Sequence, residues 1–234
     1  MKDKETIKYI IGIDEVGRGP IAGPVCVASF MMQHNYELPI NNYKFKLPKL
    51  KDSKKLSKRQ RGIWYEFLKS EKEKGNCDFA VSFVSSENID KFGIAKCIRK
   101  ALDESLEKIT LTNFIKDFQN NSFSQVLGRG GREPVPDHSK KNYFENLFVF
   151  LDGGLYAPKE FVNQETVIKG DELHPVISLA SIVAKVSRDK VMEIFAQKYP
   201  EYGFDKHMGY GTKAHYDAIK KHGQTPIHRK SFIH

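Results

Sequence analysis

Little in this chain offers sulfur chemistry or a way into a membrane. Its 234 residues include three cysteines, Cys26, Cys77 and Cys97. They are scattered, odd in number and form no CxxC pair, so neither a zinc site nor a disulfide framework is signalled. Each reads as a small buried hydrophobe. No window approaches the roughly 18 consecutive apolar residues of a membrane span. The apolar run in "MKDKETIKYIIGIDE" is too short for a signal peptide, and no stretch pairs a basic face with a strong apolar one. No internal repeat is evident. A cytoplasmic protein, with no membrane partner and no oligomer beyond the monomer, is the expectation.

What the chain does have is a core and a basic excess. Hydrophobic residues make up 40%, and 38 Lys and Arg outnumber 29 Asp and Glu, for a formal charge of +9. The length suits one large domain, or a domain with a small appendage. The charge suits a polyanionic partner such as nucleic acid, with solubility alone as the plainer alternative.

Patterning predicts an α/β chain. Strands are expected over 8–14, 24–32, 77–85, 147–154 and 166–171. The short glycine-rich link between the first two implies an antiparallel pair. Residues 33–56 read as a long polar loop. A helix is expected from Ser57, where Ser57 and Gln60 have capping-box spacing and Gly75 sits where a stop belongs. One helix is expected over 86–109, with Ile89, Phe92, Ala95, Cys97 or Ile98, and Leu102 on one face, and another from Pro175 to about 199. Residues 116–146, "DFQNNSFSQVLGRGGREPVPDHSKK" and its flanks, read as a flexible insertion. A short helix over about 213–222 follows. The β-β-α-β-α-β order implies a mixed sheet flanked by helices, with a domain over 1–195 and a small helical appendage over 196–234 in the same globular unit.

Four acids share one context. Asp14 and Glu15 end one apolar strand, Asp152 in "FLDGG" a second, and Asp171 in "IKGD" a third. A turn-forming acid at a strand end is the plain alternative for each. If the strands are neighbours, the carboxylates converge and repel. Oxygen-only ligands suit Mg2+ or Mn2+, and two such ions about 4 Å apart can clamp a phosphodiester for in-line attack by water. Gly17 and Gly19 let backbone amides approach a ligand, and Arg18 between them offers a fork suited to phosphate.

The blocks "DEVGRGPIAGPV", "KDSKKLS", "FLDGG", "KGDELHPVISLASIVAKVSRD", "HMGYGTKAHYDAI" and "PIHRKSF" resemble, in order, the motif series of ribonuclease HII, over about residues 8–232. The resemblance implies a ribonuclease H-like mixed sheet with a C-terminal helical region. It implies two-metal hydrolysis of the RNA strand of RNA–DNA hybrids, and cutting 5′ to single ribonucleotides in duplex DNA, leaving 3′-hydroxyl and 5′-phosphate ends. Asp14, Glu15, Asp152 and Asp171 would hold two Mg2+ or Mn2+ ions. The Gly17-Arg18-Gly19 turn would recognise the ribose 2′-hydroxyl, the group that distinguishes RNA from DNA. Tyr210 would stack on the sugar 3′ of the ribonucleotide, and Lys54 and Lys55 would contact phosphates. Asp189 is read as structural, deep in a helix, and His207, His215 and His228 are given no chemistry.

Two features depart from the family pattern. Val16 stands where that family usually has alanine, and ribonuclease HIII tends to carry valine there. The segments 33–49 and 116–146 exceed the usual spacing. Type HIII, however, has a different turn in place of Gly-Arg-Gly-Pro and usually an extra N-terminal domain, whereas seven residues precede the first strand here. The alternatives are therefore a type HIII-like hybrid nuclease without single-ribonucleotide activity, and a non-catalytic hybrid-binding protein. A junction resolvase on the same fold is disfavoured by the Gly-Arg-Gly turn together with Tyr210.

Overall fold

The structure, a computed structural model, describes residues 7–39, 47–122 and 144–233. Five strands, β1 (Tyr9–Val16), β2 (Val25–Gln33), β3 (Cys77–Val84), β4 (Leu147–Asp152) and β5 (Gln164–Val167), form one sheet in the order β3-β2-β1-β4-β5. β1 pairs antiparallel with β2, and β2 with β3, while β1–β4 and β4–β5 are parallel. The expected mixed sheet is present, and its parallel half sets the C-terminal ends of β1 and β4 side by side.

Period-two alternation divides the core between the two faces. Ile11, Ile13, Val25, Val27, Val149 and Leu151 lie in one cluster with Ile98, Leu102 and Leu106 of α3 (Ile94–Ser122). Cys26, Ala28 and Phe30 face the other way, against Trp64, Phe67 and Leu68 of α1 (Lys58–Glu73) and Leu179, Ile182 and Val183 of α5 (Pro175–Lys198). Each such aliphatic side chain contributes about 1.5–3 kcal/mol by leaving water. α5 lies closest at Gly12, where a Cβ would sit 2.2 Å from the carbonyl carbon and oxygen of Val176. Any side chain there would push the first turn of α5 off β1, so this glycine sets how near α5 comes to the acids that follow it.

Local signals explain several boundaries. Ser57 caps α1 in a reciprocal capping box with Gln60, and Pro175 occupies the first turn of α5. Four expectations are corrected. The single helix over 86–109 is two, α2 (Ser86–Phe92) and α3, separated by Gly93 at φ 81°. α3 continues through Ser122, so the start of the expected insertion is helical; residues 123–143 lie outside the described residues. The loop over 33–56 contains a 3-10 turn at Ser53–Lys55, and its residues 40–46 also lie outside them. The last strand stops at Val167, and Asp171 stands instead on a one-turn helix, α4 (Gly170–Leu173), entered through Lys169 in the left-handed region.

Beyond α5, α6 (Phe204–His207) and α7 (Lys213–His222) pack through Tyr202, Phe204 and Ile227 onto Ala22 and Met192. The C-terminal segment thereby covers the chain between β1 and β2. Among the described residues, no helix is long and apolar enough to cross a membrane.

Candidate active site

Asp14 and Glu15 lie within β1 rather than beyond it, opposite Ala28 and Val27 of β2. Strand alternation directs Asp14 toward the face covered by α5 and Glu15 toward the other. Asp152 ends β4 one residue past the Ile13–Leu151 pair, so Asp14 and Asp152 are neighbours across a parallel ladder. α4 brings Asp171 to the same edge because the backbone N–H of Gly170 donates to Asp152 Oδ1 at 2.6 Å. All four acids thus share the C-terminal edge of β1 and β4. Asp171 reaches that edge from a helix rather than a strand.

The electrostatics are those of a crowded, partly dehydrated acid cluster. Burial pushes Asp14 up to about 8, and Glu15, Asp152 and Asp171 add to the rise against a hydrogen bond from Ser181. Glu15 is raised chiefly by burial, although Arg18 opposes this, donating from Nε and Nη2 at 3.2 and 2.9 Å. Asp171 is raised by burial, then by Asp152 and Asp52.

Residues outside the expected set also shape this edge. Asp52 is buried, approaches Asp171, and caps the 3-10 turn by accepting from the Lys54 backbone N–H at 2.8 Å. Ser53 Oγ and Ser181 Oγ are 2.7 Å apart and buried, so a hydroxyl pair links the "DSKK" turn to Asp14. "KDSKKLS" carried a signal for Asp52 and Ser53. Ser181 lies in the block "KGDELHPVISLASIVAKVSRD" in the same way, as one small residue in an apolar helix.

Lys54 Nζ lies 3.7 Å from Asp171 Oδ2. Burial works against its charge, but Asp171 and Asp14 outweigh it and hold its pKa up. Lys55 is tied to Glu172 at 2.7 Å. Asp189 is buried on α5 between Lys185, at 2.7 Å, and Arg61, at 3.7 Å, and serves that ion pair.

The Gly17-Arg18-Gly19 turn leaves β1 just beyond the acids. Gly17 has φ 92°, and a Cβ there would meet Arg188 Nε at 2.3 Å, so no other residue fits. Two fully buried guanidinium groups act here, Arg229 on the carbonyls of the turn and Arg188 on those of the chain that follows it. Arg229 donates to Gly17 O at 2.7 Å, Arg18 O at 3.0 Å and Gly23 O at 2.9 Å. Arg188 donates to Pro24 O, Ala22 O and Met208 O at 2.8, 3.1 and 2.9 Å. Burial and the Arg188 charge lower Arg229 to about 9. Carbonyl acceptors make such burial tolerable. The Arg188–Met208 bond ties the chain just after the turn, at Ala22 and Pro24, to the segment bearing Tyr210. Tyr210 is 47% exposed, and its ring Cε1 lies 3.9 Å from where a Gly19 Cβ would be. The turn and the aromatic ring therefore form one surface.

The donor set fits a hard divalent cation. It is all oxygen, and ionising Asp14 beside three other carboxylates is costly unless a cation joins them. Among the described residues, no three His, Cys, Asp or Glu side chains already stand close enough to hold one ion. Arg18 engages Glu15, the Gly170 N–H holds Asp152, and Lys54 lies near Asp171.

The chain is similar to known proteins over most of its length. The family model for Ribonuclease HII matches residues 11–115 and 158–234. A curated Ribonuclease HII of Endomicrobium trichonymphae is 35% identical over 223 residues, covering 95% of this chain and 84% of that protein. That of Clostridioides difficile strain 630 is 35% identical over 225 residues, covering 96% and 70%. Among solved structures, the ribonuclease HII in a complex with PCNA from Archaeoglobus fulgidus has a TM-score of 0.61 at 24% identity, covering 97% of this chain and 96% of that one. Bst-RNase HIII in complex with Mn2+ has a TM-score of 0.60 at 16% identity, covering 96% and 67%. At these identities the two structures speak to the fold alone. The family model covers most of the sequence and the curated relatives nearly all of it, so the chain belongs to the ribonuclease HII family, hydrolytic nucleases of the ribonuclease H type.

Proposed function

We propose that this protein hydrolyses the RNA strand of RNA–DNA hybrids and also cuts on the 5′ side of single ribonucleotides embedded in duplex DNA. The products are 3′-hydroxyl and 5′-phosphate ends. One juxtaposition supports the reading: the Gly17–Gly19 turn and the Tyr210 ring share a surface, and Arg18 joins that surface to the carboxylate edge through Glu15. Backbone amides of the turn meet the 2′-hydroxyl, which only RNA has. Tyr210 stacks on the next sugar, whose lack of a 2′-hydroxyl marks the RNA-to-DNA junction.

Asp14, Glu15, Asp152 and Asp171 would hold two Mg2+ or Mn2+ ions. When bound, such ions supply activation of the attacking water and charge stabilisation for the departing 3′-oxygen. The carboxylates fix the position of that chemistry relative to the turn. Lys54 offers its ammonium to a substrate phosphate, and Lys55 does so once it leaves Glu172. Residues 1–195 act as the catalytic unit, and 196–234 are an appendage of the same globular unit that supplies Tyr210. The protein works as a cytoplasmic monomer. Val16 favours one second reading, a hybrid nuclease without single-ribonucleotide activity.

The test is cleavage of a labelled DNA duplex carrying one ribonucleotide, beside a long RNA–DNA hybrid and an all-DNA control, in Mg2+, in Mn2+ and in chelator. Metal-dependent nicking 5′ to the ribonucleotide with the control intact is expected. Cutting of the hybrid alone would select the second reading, and cutting of neither would refute both.

A further inference from the structure

Two histidines that the proposed chemistry does not use, with a third stacked on one of them, form a chain ending at the backbone of Tyr210. Thr225 N–H donates to His228 Nδ1 at 2.8 Å. His228 Nε2 and His215 Nε2 are 3.0 Å apart. His215 Nδ1 lies 2.9 Å from the Tyr210 carbonyl oxygen, and the His207 ring stacks on His215 at 4.4 Å.

His228 Nδ1 also lies 2.9 Å from Thr225 Oγ1 and 3.3 Å from Thr225 O, and the shortest contact, the Thr225 N–H, sets the protons of the two rings. A backbone N–H only donates, so His228 Nδ1 carries a lone pair and its single proton is on Nε2. That proton goes to His215 Nε2, which must then be the acceptor. His215 therefore carries its own proton on Nδ1 and donates it to Tyr210 O. One proton per ring is required, and burial supplies it: His215 is lowered to about 4 and His228 is also lowered. Both rings are almost wholly buried, among Tyr202 and Phe204.

The next residue is Arg229, whose guanidinium holds the Gly17 and Arg18 carbonyls. Its backbone N–H donates to Ile21 O at 2.8 Å, and Ile21 N–H donates to Gly209 O at 2.9 Å. Adjacent side chains on one segment thus reach the two elements assigned to the ribose, one directly and the other through His215.

We propose that His228, acting through His215, is a positioning residue that holds Tyr210 at a fixed distance from the Gly17–Gly19 turn, and that this distance sets the preference for a ribonucleotide followed by DNA. The inference rests on the role given to Tyr210 under Proposed function. Loss of the relay leaves the carboxylate edge untouched, so it weakens junction reading more than hydrolysis.

The test compares His228→Asn, His228→Gln and Tyr210→Ala on a single-ribonucleotide duplex and on a long RNA–DNA hybrid. An asparagine amide reaches the Nδ1 position and accepts from Thr225 but falls short of His215. A glutamine amide reaches the Nε2 position and donates. His228→Asn is expected to lose about tenfold in kcat/KM on the single ribonucleotide, the worth of one buried hydrogen bond, and less than about twofold on the hybrid. His228→Gln should restore the wild-type ratio. Nitrogen-15 spectra of the wild-type imidazoles should show His215 protonated on Nδ1 and His228 on Nε2. Equal losses on both substrates, a glutamine variant as impaired as the asparagine one, or His215 protonated on Nε2 would each overturn the proposal. The spectra decide even if a variant fails to fold. A selective loss in Tyr210→Ala without one in His228→Asn refutes the relay alone. Equal losses in Tyr210→Ala refute the reading of Tyr210, and the relay's role in substrate choice with it.

Discussion

Replacing Asp14 by asparagine should abolish cleavage and, in chelator, make the protein more stable. The ordinary carboxyl value of 3.8 rises in the fold to about 8, mainly through burial. A carboxyl raised in this way favours the folded state fully below its unfolded value, near 4. That contribution is lost as pH rises through 8, because the unfolded chain ionises freely while the fold must keep the proton. At pH 7 the resulting penalty against a neutral isostere is on the order of 4 kcal/mol. Relaxation around asparagine, and an amide that meets Ser181 less well, leave a net gain of roughly 1–3 kcal/mol. For a chain of this size that is a rise in Tm of about 3–9 °C. The gain should fall to zero between about pH 4.5 and 6, turn into a loss below that, and level off above pH 8. Mn2+ at a hundred times its Kd adds about 2.7 kcal/mol to the wild type and little to the variant, so the order of stability narrows or inverts. Thermal melts from pH 4.5 to 9, with chelator and with Mn2+, read all of this. A variant less stable than wild type in chelator at every pH, or an advantage independent of pH, would refute the argument.

Gly17→Ala forces a side chain into Arg188 at φ 92°; a loss of about 2–3 kcal/mol in denaturant unfolding, with hybrid cleavage impaired, is expected. Wild-type stability with lost activity would separate the turn's function from its strain. Ser181→Ala removes the hydroxyl that links Asp14 to Ser53; it should cost about 1–2 kcal/mol and weaken Mn2+ binding, with unchanged Mn2+ affinity as the contrary result. Hybrid binding in chelator should fall at least about tenfold between 50 and 200 mM salt if two or three cations meet phosphates. A flat response would remove the basic face from the interface.

The acids at strand ends were legible because strand alternation and a glycine-rich exit mark such positions locally. The sequence pattern sets Asp171 on a strand because "TVIK" is rich in β-branched residues. The turn that lifts it onto α4 depends on tertiary facts: Lys169 in the left-handed region, and Gly170, whose missing Cβ leaves room for Ile177 while its N–H meets Asp152. Gly93 lay inside an unbroken helical periodicity, which is blind to a single positive φ. Asp52, Ser53 and Ser181 are polar residues whose importance comes from what buries them. The same holds for Arg188, Arg229 and the histidine chain. Charged or titratable side chains read as surface until the fold supplies carbonyl acceptors for them.

The proposed hydrolysis requires that the carboxylate edge of β1 and β4 take up divalent cations. Mn2+ binding followed by electron paramagnetic resonance, in the wild type and in Asp14→Asn and Asp152→Asn, tests it without any substrate. Saturable uptake by the wild type, weakened at least about tenfold in both variants, is the predicted result. Equal uptake by all three proteins would contradict it.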